Sequence, residues 1–135
     1  MAARFGGMNH DKRRDYRDLL LWQKAMELAT EAHRVTLKLP RQETYGMAAQ
    51  IRRAAVSIPS NIAEGAGRRT TRDFLGFLHI ARGSLSELET QLFLAQSIGY
   101  LHEADWSAAR AATIEVGRLL NAVINGLRRR QESGV

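Results

Sequence analysis

The sequence predicts an all-α fold, an up-and-down antiparallel four-helix bundle. Apolar residues recur at steps of three and four in four separate segments, which is the pattern of a helix that buries one stripe. No segment alternates with period two, so no strand is expected. The connections are short, and short connections make consecutive helices antiparallel neighbours. A length of 135 residues suits a single domain with one core.

The first predicted helix ends before Pro40, a residue that cannot continue a helix. Its apolar stripe consists of Leu21, Ala25, Leu28, Ala32, Val35 and Leu39. The second predicted helix runs from about Glu43 to Glu64 and is ended by Gly65 and Gly67. Its buried side consists of Ala48, Ile51, Ala55, Ile58 and Ile62.

The third predicted helix begins at a capping pair in which Thr70 precedes Asp73 by three positions, and Gly99 is its expected C-terminal cap. Its stripe is Phe74, Leu78, Ala81, Leu85, Leu88, Leu92 and Ala95. The fourth predicted helix ends near Leu127, ahead of an arginine run and a polar tail. Its stripe is Trp106, Ala109, Thr113, Val116, Leu120, Val123 and Leu127.

Three residues depart from an ideal bundle. Pro59 lies inside the second helix and predicts a kink, because its ring removes a backbone hydrogen bond. Gly76 and Gly83 lie seven positions apart on the third helix. Glycine costs up to about 1 kcal/mol against alanine in a helix, so the pair predicts that another helix approaches closely there. Neutral, tolerated glycines are the alternative.

The residues for enzymatic chemistry are missing from the sequence. The chain has no cysteine, which excludes disulfides and thiolate chemistry, and no histidine follows a glutamate with the spacing of di-iron bundles. We therefore expect no enzyme, no metal and no cofactor. We expect His33 and His79 to lie without partners at the surface or at its boundary with the core. A nuclease that holds a metal through acids such as Glu64 and Asp73 is the disfavoured alternative.

The expected organisation is simple. Residues 1–14 are predicted to be a flexible basic segment, 15–131 the bundle and 132–135 a disordered tail. No run approaches the roughly 18 apolar residues of a membrane span, and the opening residues lack the apolar core of a secretory signal. We therefore expect a cytoplasmic protein that does not engage membranes.

Antiparallel folding would gather the positive charge at one end. The net charge of the chain is +6, carried almost wholly by arginine, and ten basic residues against six acidic ones would give one pole of the bundle +4. The loop from Gly65 to Arg72 suits a phosphate anion, and a flexible, solvated turn is the alternative. The arginine-rich composition can also reflect a GC-rich genome. The predicted nucleic-acid-binding residues are Arg13, Arg14, Arg17, Arg68, Arg69, Arg72, Arg128, Arg129 and Arg130.

Two further groups complete the predicted sites. Opposite its apolar side, the second helix carries a polar stripe that consists of Gln50, Arg53, Ser57, Asn61 and Glu64. The stripe is expected to fix assembly geometry by pairing with Arg82, Ser86 or Glu87 of a neighbouring helix, unless it is simply solvated. The predicted interface or structural residues are Arg53, Ser57, Pro59, Asn61, Glu64, Gly76, Arg82 and Gly83. Core packing, rather than base stacking, is expected for the aromatic residues Trp22, Phe74, Phe77, Phe93 and Trp106.

Three stretches resemble a known family. These are Asp18–Ala25, Gln50–Gly65 with its Ser-Ile-Pro-Ser-Asn-Ile-Ala-Glu-Gly block, and Phe74-Leu75 together with Ala81–Leu88. They are similar to the four-helix bundle proteins encoded in intervening sequences of bacterial 23S rRNA genes, and the resemblance covers about residues 15 to 125. It implies a protomer that assembles into a ring-like homopentamer. It also implies a distant kinship with accessory variability proteins of diversity-generating retroelements, which bind nucleic acid and a reverse transcriptase.

Two hypotheses about function follow. The first is a non-enzymatic homopentamer that binds nucleic acid, RNA above all, through its basic pole with little sequence specificity. The second is an adaptor whose pentamer docks a protein partner, with the arginines serving an acidic surface.

Overall fold

The computed structural model describes residues 15–133 and confirms the predicted antiparallel four-helix bundle. The helices are α1 Leu20–Thr36, α2 Met47–Ala66, α3 Thr71–Ser97 and α4 Ser107–Glu132. Short 3-10 turns precede α1, α2 and α4, and residues 15–133 contain no strand. Within the same residues, no helix combines the length and the apolar character needed to cross a bilayer.

One continuous core lies between the four helices, because each helix turns its apolar stripe inward. Neighbours in sequence pack side by side, and α4 closes the bundle against α1. Each fully buried leucine or isoleucine contributes roughly 1.5–3 kcal/mol relative to an exposed one. The fully buried aliphatic side chains include Leu28, Ile51, Ile58, Leu78, Leu88, Leu120 and Ile124.

Helix α2 begins four residues later than predicted. A separate 3-10 turn covers Arg41–Glu43, and the chain reverses at Gly46 before the helix starts. Glu43 Oε1 accepts a hydrogen bond from the Met47 backbone N–H at 3.2 Å, while Oε2 accepts one from the Tyr100 hydroxyl at 2.9 Å. A carboxylate at a helix N-terminus interacts favourably with the helix dipole. Glu43 therefore caps α2 from outside it.

Of the two glycines predicted to end α2, Gly67 is its C-cap residue and has an ordinary right-handed backbone. Gly65 instead lies within the helix and is buried. A Cβ atom on Gly65 would lie 2.7 Å from Phe77 Cβ and 2.9 Å from Phe74 Cδ1. Gly65 is therefore required by the close approach of α3, rather than by helix termination.

Both predicted ends of α3 are confirmed. The Thr70 side chain accepts a hydrogen bond from the Asp73 backbone N–H at 3.1 Å. At the other end Gly99 has φ +88°, a backbone conformation that glycine adopts without strain. Its N–H bonds to the Gln96 carbonyl at 3.0 Å, and the Tyr100 N–H bonds to that of Ala95 at 2.9 Å, which is the Schellman arrangement.

Three further predictions concern Pro59 in α2, the two glycines of α3 and the end of α4. Helix α2 continues through Pro59, which is buried. Apart from the adjoining residues and backbone of α3 itself, no atom of the described chain lies within 4 Å of a Cβ placed on Gly76 or Gly83, so no other helix of the described chain approaches there. Helix α4 does not end near Leu127, because it continues through the arginine run to Glu132.

The aromatic residues follow the core prediction with one exception. Trp22 and Trp106 are buried, and Phe74 and Phe77 are half-buried. Phe93 was predicted in the core but is 43% exposed, because it lies at the α3–α4 edge with its ring 4.9 Å edge-on from Trp106 and beneath the Arg110 guanidinium.

The packing at Gly65 predicts a stability difference between two glycine variants. Gly65→Ala should lower the free energy of unfolding by about 1–3 kcal/mol, because the methyl group has no room beside Phe77. Gly126→Ala is the matched control, since its Cβ would meet only the end of the flexible Arg129 side chain at 4.0 Å. It should raise stability by up to about 1 kcal/mol. Urea denaturation of both variants measures the difference, and equal stabilities would contradict the packing argument.

Candidate functional site

Three elements bring the arginines to one end of the bundle, which we call the arginine pole. These elements are the segment before α1, the α2–α3 link and the C-terminal turns of α4. Arg13 and Arg14 lie outside the described residues. The described basic members are Arg17, Arg68, Arg69, Arg72, Arg128, Arg129 and Arg130. With five acidic residues nearby in the same elements, their net charge is +2.

Two arginines of the pole are engaged with carboxylates. Arg17 Nε donates to Asp15 Oδ1 at 2.9 Å, an ion pair at the start of the described chain. Arg68 donates to Glu64 Oε1 at 2.6 Å across one turn of α2, and its guanidinium lies 4.8 Å from the centre of the Phe77 ring. These contacts hold the two guanidinium groups in place and reduce the positive charge that both residues offer to a ligand.

Four arginines of the pole have no such partner. Arg69, Arg72, Arg129 and Arg130 are exposed, and none forms an ion pair or side-chain hydrogen bond with another residue in 15–133. Arg72 lies in the first turn of α3, where a cation opposes the helix dipole. The Thr70 hydroxyl already caps α3, so part of the predicted anion loop is satisfied from within the chain.

A cluster that the sequence did not reveal lies between α3 and α4. His79 Nδ1 is 3.1 Å from Arg82 Nη2, and His79 Nε2 is 3.3 Å from Arg128 Nη2. Arg82 Nη1 also donates to Asn121 Oδ1 at 3.3 Å. The prediction of a partner-free His79 is therefore wrong. Burial, and then the charges of Arg82 and Arg128, lower the pKa of His79.

This cluster joins residues that the sequence assigned to different sites. Arg128 was predicted at the nucleic-acid surface and Arg82 at an assembly interface, yet both contact the same imidazole. The three-residue spacing of His79 and Arg82 on one predicted helix indicates that these two side chains can meet. The sequence does not indicate the contact with Arg128, because 49 positions separate Arg128 from His79.

The polar stripe of α2 is satisfied largely within the chain. The Ser57 and Ser84 hydroxyl oxygens are 2.8 Å apart across the α2–α3 contact. Asn61 Nδ2 donates to the Ser57 carbonyl at 2.7 Å. Within one chain, Ser84 therefore takes the place of the expected partners Arg82, Ser86 and Glu87. Arg53 remains exposed without a side-chain partner in residues 15–133.

A groove of about 590 Å³ runs between α1 and α2. Its apolar wall contains Pro59 and Val56, and four basic or imidazole side chains line its rim. No acidic residue lines it, and Val56 is 55% exposed. The lining residues are Met26, Ala29, Thr30, His33, Arg34, Arg52, Arg53, Ala55, Val56 and Pro59.

The outer face of α3 points away from the core. Gly76, Ile80, Gly83 and Leu94 share this face through steps of three and four or multiples of them. Ile80 is 53% exposed and Leu94 is 50% exposed, and nothing in the described chain covers the two glycines. The face therefore exposes two apolar side chains and bare backbone, with the exposed residues Glu87 and Thr90 between Gly83 and Leu94.

In residues 15–133, no three His, Asp or Glu side chains lie together as metal ligands would.

The fold and these surfaces define a basic four-helix bundle. The chain belongs to the 23S rRNA-intervening sequence protein family, whose family model matches residues 17–122. The match spans all four helices, including the Ser-Ile-Pro-Ser-Asn block of α2. It confirms the family resemblance identified from the sequence.

A solved structure supports the same assignment. The fold matches the crystal structure of a protein of unknown function from the S23 ribosomal protein family of Bacteroides thetaiotaomicron, with a TM-score of 0.72 and 26% identity. The match covers 78% of this chain and 98% of the other. A comparison with curated proteins finds no match.

The lowered pKa of His79 predicts a pH dependence of stability. Below its ordinary pKa of about 6.5, the unfolded chain takes up a proton that the folded chain resists. Stability should therefore fall as the pH falls from 7.5 to 5.5, and it should fall less in His79→Gln. Urea denaturation at both pH values measures the difference between the two losses of stability, in which the contributions of the other three histidines cancel. An equal loss in both proteins would contradict the lowered pKa.

Proposed function

We propose that this protein is a non-enzymatic homo-oligomer, a pentamer, that binds nucleic acid in the cytoplasm through its arginine pole. The observation that carries the proposal is the group of four exposed arginines at the pole that form no ion pair and no side-chain hydrogen bond within residues 15–133, Arg69, Arg72, Arg129 and Arg130. Guanidinium groups bind phosphate in two-pronged fashion, and a cluster of them attracts a polyanion. The family's link to an intervening sequence of 23S rRNA makes RNA the first ligand to test.

The binding is expected to be weakly sequence-specific. Specific reading of single-stranded RNA uses exposed aromatic rings on which bases stack. Trp22 and Trp106 are buried, and the rings of Tyr16 and Phe77 at the pole lie against the guanidinium groups of Arg17 and Arg68. Contacts to phosphate therefore remain the main source of affinity, and such contacts carry no sequence information.

The outer face of α3 supports self-association. Ile80 and Leu94 expose apolar surface there, and the bare backbone at Gly76 and Gly83 allows a second helix to approach closely. A copy of the same chain is the occupant that the family resemblance implies. In such an assembly several arginine poles act together, which raises the affinity for a long polyanion through multivalency.

Loss of two free arginines should weaken RNA binding and its salt dependence. For Arg69→Gln/Arg72→Gln, we expect the slope of log affinity against log salt to become shallower by about 1.4 with single-stranded RNA, because each phosphate contact contributes about 0.7. Fluorescence anisotropy across a salt series measures this slope.

The matched control is Arg41→Gln/Arg118→Gln. It removes the same charge from two exposed arginines outside the pole that have no side-chain partner in residues 15–133. If both variants lose RNA affinity and salt dependence equally, the effect comes from net charge alone, which would contradict a localised site. Absence of salt-sensitive binding by the natural protein would overturn the proposed function.

A charge on the outer face of α3 should prevent assembly without unfolding the protomer. Gly83→Lys is expected to give a smaller particle in light scattering, because a lysine at the seam separates the two helices. Ala111→Lys, on the exposed side of α4, should leave the particle unchanged. Circular dichroism checks that both variants fold. A natural protein that scatters as a monomer at micromolar concentration would contradict the proposed assembly.

The groove between α1 and α2 favours a second candidate function, an adaptor that docks a protein partner. Its apolar wall and basic rim, without a lining acid, suit an amphipathic helix with acidic flanks. A partner of that chemistry should remain bound after nuclease treatment and should be lost with Val56→Asp/Arg53→Glu. It should be retained with Arg69→Gln/Arg72→Gln. A partner whose binding survives the groove variant would contradict this docking site.

A further inference from the structure

The cluster of His79, Arg82 and Arg128 holds more hydrogen-bond donors than acceptors. A neutral imidazole has one N–H and one lone pair, yet a guanidinium nitrogen lies near each ring nitrogen, at 3.1 and 3.3 Å. Only one of these two contacts can be a hydrogen bond. In the other, an N–H faces an N–H. The Asn121 carbonyl oxygen accepts from Arg82, but it adds only one acceptor to the cluster.

The positive charge of the cluster is also uncompensated. No carboxylate within residues 15–133 lies within 4 Å of the Arg82 or Arg128 guanidinium. Some cations elsewhere on the bundle have such partners, as Arg68 has Glu64 and Lys24 has Glu27. Arg82 and His79 are half-buried and Arg128 is exposed, so the field of the Arg82 guanidinium is screened less than at a fully exposed site.

An oxyanion removes both conflicts at once. It supplies acceptors to the unsatisfied N–H groups and negative charge to the two guanidinium groups. The donors approach from α3 through Arg82 and His79, and from α4 through Arg128. A phosphate group offers oxygens in several directions and can bridge the two helices, whereas the two oxygens of a carboxylate lie in one plane.

We propose that Arg82, Arg128 and His79 bind one phosphate group of a nucleic-acid backbone. These three residues lie at the surface where α3 meets α4, which we call the cleft. The cleft continues the arginine pole down the side of the bundle, because Arg128 belongs to both. The proposal rests on the proposed function only for the source of the phosphate, since the donor surplus exists in the protein itself.

Binding at this site is coupled to protonation of His79. The groups that face the ring are Arg82 from α3 and Arg128 from α4, both cations, with neutral Asn121 behind Arg82. A bound phosphate offsets these charges and favours the imidazolium form. By linkage, phosphate and proton then strengthen each other's binding. RNA affinity should rise as the pH falls from 7.5 to 5.5, and His79→Gln should remove this rise.

The test is a histidine NMR titration of the full chain. His79 is assigned by comparison with His79→Gln, and its titration is followed in chloride, in inorganic phosphate and with a short single-stranded RNA, all at one ionic strength. The pKa of His79 should rise with phosphate and with RNA, and the signals of the other three histidines serve as internal references. Arg82→Gln and Arg128→Gln should each remove the rise and weaken RNA binding roughly tenfold, the loss of one charge-assisted contact. Arg118→Gln is the control.

The outcomes separate this site from the proposed function. RNA binding that leaves His79 unmoved overturns the cleft site and leaves the function of the arginine pole standing. A response to inorganic phosphate without one to RNA overturns the nucleic-acid ligand and assigns the cleft to free phosphate. No response to either probe, in variants shown by circular dichroism to be folded, overturns the site altogether.

Discussion

The arginine pole depends on the close approach of α2 and α3 at Gly65. Because Gly65 has no side chain, Phe74 and Phe77 pack directly against the α2 backbone, and only Gly67 to Thr70 are needed to join the two helices. That link holds the Arg68 guanidinium over the Phe77 ring and leaves Arg69 and Arg72 exposed. A larger residue at position 65 would separate the helices where the positive charge is densest.

Antiparallel packing then determines which charges meet. Helix α4 ends beside the start of α3, so Arg128 reaches the ring of His79 and the α3–α4 cleft becomes continuous with the pole. At the opposite end, acidic and basic groups pair with each other, as Lys38 does with Asp105 and Arg110 with Glu103. The bundle is therefore electrostatically polar although its helices alternate in direction, and a polyanion has one preferred end to approach.

Three surfaces remain open on the protomer, and their chemistry differs. The arginine pole with its cleft offers donors and positive charge, the outer face of α3 offers apolar surface at bare backbone, and the α1–α2 groove combines an apolar wall with a basic rim. The α1–α2 groove lies on other helices than the first two surfaces, whereas His79 and Arg82 of the cluster neighbour Gly76 and Gly83 of the outer face on α3. Variants confined to one surface separate self-association, RNA binding and docking of a protein.

The sequence alone determined the helices, because the 3.6-residue period of each apolar stripe is a local property, and it also revealed the caps at Thr70 and Gly99. It determined the family through the Ser-Ile-Pro-Ser-Asn block. Only the tertiary structure decided what the functional side chains touch. It placed the Gly65 backbone against Phe77, paired Arg68 with Glu64 and brought Arg128 to His79. The contact between His79 and Arg128 joins residues 49 positions apart, and such distances follow from how helices pack, which no local pattern encodes.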